Sequence, residues 1–116
     1  MKRVYVAGCY SANNVITVLD NMRKGIRMST RVLLAGFSVF SPWLDYHFTL
    51  ALQGDEKLTV DDYYGYSISW LEVSDIMLVL PGYETSKGTL NEISVAKDLD
   101  IPIYYSFDDL IKEVKP

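Results

Sequence analysis

Apolar residues recur along this chain in two rhythms. Four short runs are β-rich and too brief for helices: Val4-Tyr5-Val6-Ala7-Gly8, Phe37-Ser38-Val39-Phe40, Ile76-Met77-Leu78-Val79-Leu80 and Pro102-Ile103-Tyr104-Tyr105. The third is the clearest. Its apolar residues are unbroken between Asp75 and Pro81-Gly82, as expected of a central parallel strand covered on both faces. Between the runs the period lengthens. Val15, Leu19, Met22, Ile26 and Leu33 recur at helical spacing and predict a long helix that ends near Gly36. Thr59 followed by Asp61-Asp62 reads as a capped helix start with acids in the first turn, and that helix runs to about Ser74. A further helix spans about Gly88 to Leu99, and a short one follows from Phe107. From Trp43 to Leu58 the pattern weakens to a short helix and a loop at Gly54-Asp55.

Strands alternating with helices predict an α/β three-layer sandwich on a parallel sheet of four or five strands, of the flavodoxin-like or Rossmann-like type. The chain has 116 residues with no repeat, linker or low-complexity tract, so residues 1–116 are read as one domain. In such sheets ligands bind outside the carboxyl ends of the strands, where the strand order switches. Two loops fit that rule: Gly8 to Asn14, and Pro81 to Gly88.

Composition narrows the partners. Lys and Arg number 11 against 15 Asp and Glu, so a net charge of −4 gives no general attraction to nucleic acid polymers or anionic membranes. A bound phosphate must be held locally, by backbone amides and hydroxyls. A single cysteine, Cys9, and a single histidine, His47, leave no internal disulfide and no zinc cluster, which points to a reducing, cytoplasmic setting. The longest apolar runs, about six residues, fall far short of the roughly 20 that a spanning helix needs. Lys2 and Arg3 precede a strand-like run rather than a signal sequence.

Each loop enters a helix, where free amides and the positive end of the dipole suit an anion. In the first loop Ser11 or Asn14 adds a side-chain donor beside Gly8; a cap formed by Ser11 or Asn13 accounts equally well for the same residues. In the second, Ser86 is placed to cap the helix and Gly88 permits close backbone approach to a ligand. Glu92 shares its helix with Val95, Ala96 and Leu99 at spacings of three, four and seven, which turns its carboxylate toward the sheet edge. A half-buried, unpaired acid there is a candidate for chemistry. The alternative is a margin position that gains only from the helix dipole.

Together these segments resemble the nucleoside 2-deoxyribosyltransferase superfamily, most closely the branch of 2'-deoxynucleoside 5'-phosphate N-hydrolases and their small phage and bacterial relatives. The resemblance spans nearly the whole chain. It is carried by Val4-Tyr5-Val6-Ala7-Gly8 with Tyr10-Ser11, by Phe40-Ser41-Pro42, and by Trp70-Leu71 leading to Ser74-Asp75. Its most specific piece is Ser86-Lys87-Gly88-Thr89-Leu90-Asn91-Glu92, an S-x-G-x-x-x-E pattern, with Ala96 downstream. The resemblance implies that Glu92 is the nucleophile at the anomeric carbon and that Tyr5 orients it or lines the sugar pocket. Serine six residues before the nucleophile implies a 5'-phosphate on the ligand, where the transferases of free nucleosides carry aspartate. It also implies a homodimer whose neighbour completes the pocket, and no metal or redox cofactor.

Two positions depart from that pattern. Ser11 stands where the hydrolases carry an arginine toward the phosphate, and Ser67 stands where the family's acid, an aspartate, helps protonate the leaving base. Asp61, Asp62, Asp45 and His47 are the available substitutes, and His47 is the most natural proton donor near neutral pH. Tyr63, Tyr64, Tyr66, Trp70 and Trp43 are candidates for stacking on a base, or for core and subunit contacts. Asp75 reads as a strand-entry cap. The function implied is hydrolysis of the N-glycosidic bond of a small-molecule nucleotide, a (deoxy)nucleoside 5'-monophosphate. The rivals are a nucleotide-binding or sequestering protein without catalysis, and a nucleoside 2-deoxyribosyltransferase.

Overall fold

In the first strand, β1 (Arg3–Ala7), side chains alternate faces, and the two faces build two separate cores. A computed structural model describes all 116 residues. Val4 and Val6 join Ile76 and Leu78 of the central strand β3 (Ile76–Val79) in one cluster, beneath helices α1 (Val15–Leu34) and α5 (Phe107–Glu113). Tyr5 and Ala7 join Met77 and Val79 in the other, beneath α3 (Val60–Leu71) and α4 (Lys87–Asp98). The result is the expected three-layer α/β sandwich. Helices cover both faces of the sheet, which is why β3 is apolar at every position.

The sheet has four parallel strands in the order β2-β1-β3-β4, where β2 is Ser38–Phe40 and β4 is Ile103–Tyr104. After β2 the chain crosses β1 to reach the opposite side. The switch point therefore lies at the carboxyl ends of β1 and β3, where Ala7 pairs with Val79. A short 3-10 turn (Pro42–Asp45) and helix α2 (Tyr46–Leu50) follow β2, and a second 3-10 turn (Tyr83–Thr85) precedes α4. Asp75 accepts a hydrogen bond from the Arg3 amide at 2.8 Å, which fixes the entry of the two central strands as the sequence suggested.

The first helix buries a different stripe from the one its apolar period predicts. Met22, Gly25, Ser29 and Val32 are buried, whereas Val15 and Leu33 are 66% and 54% exposed. The reason is the bulk of Trp43. Gly25 lies so close to the indole that a β-carbon there would come within 2.2 Å of it, so the centre of the buried face admits no side chain where the indole crosses it. Ser29 satisfies its hydroxyl by donating to the Gly25 carbonyl at 2.8 Å. No helix is long and apolar enough to cross a membrane.

Candidate active site

Both loops singled out above open onto one cavity of about 820 Å³ at the switch point. Its walls come from the loop after β1, the first turns of α1, the exit of β2, the inner face of α3 and the start of α4.

The first loop is held from three directions. The Cys9 carbonyl accepts from the Trp43 indole at 3.0 Å, the Tyr10 carbonyl accepts from Asn21 at 3.1 Å, and the Tyr10 hydroxyl donates to Asp45 Oδ1 at 2.8 Å. The Cys9 thiol reaches the Gly82 carbonyl at 3.2 Å and so joins this loop to the second. Gly8 and Ser11 line the cavity. Asn14 does not. It is the N-cap of α1 and accepts from the Thr17 amide at 2.8 Å, so the cap assigned to Ser11 or Asn13 falls to Asn14, and Ser11 is left to the cavity.

In the second loop Gly82 takes a left-handed conformation, φ 86°, and turns the chain toward α4. Ser86 caps that helix: its hydroxyl accepts from the Thr89 amide at 3.2 Å and shares a hydrogen bond with the Thr89 hydroxyl at 2.8 Å. The amides of Lys87 and Gly88 lie in the first turn, where no helical carbonyl is available to them. A β-carbon on Gly88 would meet no protein atom within 4 Å, so this turn is open on its cavity side. Lys87 is the one cation among the lining residues.

Glu92 sits one turn further along α4. The Tyr5 hydroxyl, buried from solvent on β1, donates to Glu92 Oε2. Burial pushes the Glu92 carboxyl up to about 7, and the Tyr5 hydrogen bond opposes that rise by stabilising the carboxylate. Burial and the neighbouring Glu92 charge in turn raise the Tyr5 and Tyr64 phenols. Ser67 is buried on α3, lines the cavity and lies beside the Tyr5 phenol. Tyr5, Glu92 and Ser67 thus form one polar group set into the otherwise apolar layer between α3, α4 and the sheet.

The position of His47 corrects the sequence reading. It is exposed on α2, contacts the Leu44 carbonyl at 3.2 Å through Nδ1, and takes no part in the cavity. Residues two apart on a helical turn point to nearly opposite sides, and it is Asp45 that faces inward. Asp45 is 8% exposed, and burial raises its carboxyl while the Tyr10 hydrogen bond lowers it. Neither Asp61 nor Asp62 lines the cavity. Asp62 closes a capping box with Thr59, and hydrogen bonds from the Thr59 backbone and hydroxyl hold its carboxyl below the usual range. Of the aromatics, Tyr63 and Tyr64 line the cavity, Trp43 is a buried wall, and Tyr66 and Trp70 pack on Phe40 outside it. Thr17, Asn21, Lys87 and Thr89 also line the cavity and were not singled out from sequence; only their nearness to the two helix starts marks them. No three His, Cys, Asp or Glu side chains converge to hold a metal ion.

No curated protein matches the chain at a significant level. Among solved structures, a 2-deoxyribosyltransferase from the psychrotolerant bacterium Bacillus psychrosaccharolyticus superposes with a TM-score of 0.61 over 87% of this chain and 69% of its own. The two are 16% identical, so the likeness is one of fold. Residues 2–105 match the family described as Domain of unknown function (DUF4406), and the chain belongs to that family.

Proposed function

We propose that the protein hydrolyses the N-glycosidic bond of a (deoxy)nucleoside 5'-monophosphate. The observation that carries this reading is the Tyr5–Glu92 hydrogen bond at a cavity entered by two helix N-termini. Glu92 attacks C1' on the face opposite the base and forms a glycosyl ester, and water then releases the sugar phosphate. Tyr5 fixes the rotamer of the attacking carboxylate and keeps a share of it ionised despite burial. The amides of Lys87 and Gly88, the Ser11 hydroxyl and the Lys87 ammonium receive the phosphate, at a distance from C1' that orients the sugar. Lys87 supplies the positive charge that the first loop lacks at Ser11. Tyr63 and Tyr64 offer ring faces to the base.

The named activity of the structural neighbour favours a second reading, in which a free base instead of water accepts the sugar from Glu92. The half-exposed rings of Phe48, Tyr66 and Trp70 supply an apolar surface for the dimer that the resemblance implies. The test of function is incubation with a panel of deoxynucleoside and nucleoside monophosphates, with free base measured by chromatography. Base release that a second base does not accelerate supports hydrolysis. Full activity in Glu92→Ala removes the assigned nucleophile.

A further inference from the structure

Asp45 is a buried carboxyl of which only one oxygen is used in holding the first loop. It stands at the N-terminal boundary of α2 without capping it, and it forms no ion pair. Its one protein partner is the Tyr10 hydroxyl, on Oδ1. The only buried side-chain oxygen or nitrogen without a partner in the molecule is Ser41 Oγ, so the unbonded Oδ2 of Asp45 keeps access to solvent, in a residue that lines the cavity.

Topology places this carboxyl across the cavity from Glu92. Asp45 follows β2 and Glu92 lies on the helix after β3, and those strands flank β1 on opposite sides. The two also approach from different layers. Glu92 is bonded to Tyr5, which belongs to the core beneath α3 and α4, whereas Asp45 is bonded to Tyr10, which packs against the core beneath α1. A sugar attacked by Glu92 on one face presents its base to the other side, which is the side of Asp45.

We infer that Asp45 is the proton donor to the leaving base. This assignment rests on the glycosidase reading of the cavity. As the C1'–N bond breaks, its electron pair stays on the base nitrogen, the Asp45 proton passes to the base, and a Glu92 oxygen bonds to C1'. In the second half the Asp45 carboxylate takes a proton from the attacking water. The new C1'–O bond forms as the ester C1'–O bond breaks, which restores the Glu92 carboxylate and the Asp45 acid. Burial favours the protonated form that this role needs. The titratable groups beside the Asp45–Tyr10 pair are Tyr46 on α2 and Tyr63 on α3, and Cys9 in the first loop, Tyr64 on α3 and Lys87 and Glu92 on α4 line the same cavity.

The experiment compares two substrates, a deoxynucleoside monophosphate and the 4-nitrophenyl glycoside of 2-deoxyribose 5-phosphate, whose leaving group departs without a proton. Asp45→Asn keeps an oxygen for Tyr10 to donate to. It should lose about a hundredfold or more in kcat/KM on the nucleotide, the usual scale of one general acid. On the nitrophenyl substrate it should keep wild-type kcat/KM, which reads the first half alone, while kcat there falls because the second half has lost its base. Tyr10→Phe removes the hydrogen bond but not the acid, and should fall much less on the nucleotide. In the wild type, the nucleotide profile should decline on the alkaline side where the nitrophenyl profile stays flat, a comparison that does not depend on any variant folding. Equal losses of Asp45→Asn in kcat/KM on both substrates, or coincident wild-type kcat/KM profiles, overturn the assignment while leaving the glycosidase reading intact. Cleavage of neither substrate by the wild type overturns that reading and this one with it.

Discussion

Gly25 lies against the six-membered ring of Trp43, so α1 and the cavity wall meet with no spare volume. Gly25→Ala gains up to about 1 kcal/mol in helix propensity but forces a fully buried indole to move, an overpacking cost of about 1–3 kcal/mol or more. Trp43 also holds the Cys9 carbonyl, so the displacement reaches the first loop. The expected outcome in scanning calorimetry is a lower Tm. An unchanged or higher Tm would mean that the ring gives way freely.

Stability should fall as pH rises from about 4.5 to about 7. Glu92 is held above its ordinary value of 4.5, at about 7, so across that window the folded chain keeps a proton that the unfolded chain has lost. The penalty is absent below the unfolded value and complete above the folded one, where it reaches about 3 kcal/mol. Glu92→Gln removes it. Urea denaturation should find the variant more stable than wild type above pH 7 and without that advantage near pH 4.5. Parallel curves for the two proteins contradict the burial assigned to this carboxyl.

Tyr5→Phe withdraws the hydrogen bond that favours the Glu92 carboxylate. The acidic limb of the activity profile should therefore move to higher pH, since more alkali is needed to ionise the nucleophile. At pH 7, kcat/KM should fall about tenfold, the worth of one hydrogen bond to a charged group at about 1.5 kcal/mol. Base-release assays across pH 5–9 read both effects.

Lys87→Gln should raise KM for nucleoside monophosphates about fivefold, on the scale of one exposed charge contact of about 1 kcal/mol. Unphosphorylated nucleosides should be unaffected. The wild-type preference should shrink as salt is added, whereas that of the variant should change less. An equal effect on both substrate classes would place the lysine away from the phosphate.

The layered fold was legible because strand and helix periods differ, and because β3 is apolar throughout in a way that only a doubly covered strand requires. Glu92 and Ser86 were legible because a motif fixes their spacing along a single helix. The buried stripe of α1 was not, since Gly25 and Ser29 carry no hydropathy signal and their burial is dictated by Trp43, a residue distant in sequence. His47 outranked Asp45 on side-chain chemistry alone. Which of the two faces inward is set by the angular step of the turn after Pro42, and residue type says nothing about that. Asn14 was misread for a similar reason: three polar residues compete for one cap, and the winner depends on where α1 begins.

The Tyr5–Glu92 contact joins residues 87 positions apart, and the Arg3 amide meets Asp75 across 72. A polypeptide emerging from the ribosome therefore presents its phenol 87 residues ahead of the acid it will bond. Helices can form while that pair is still apart. The return of this contact after dilution from denaturant accordingly clocks the late joining of distant strands, a slow step, rather than the fast local coiling that precedes it.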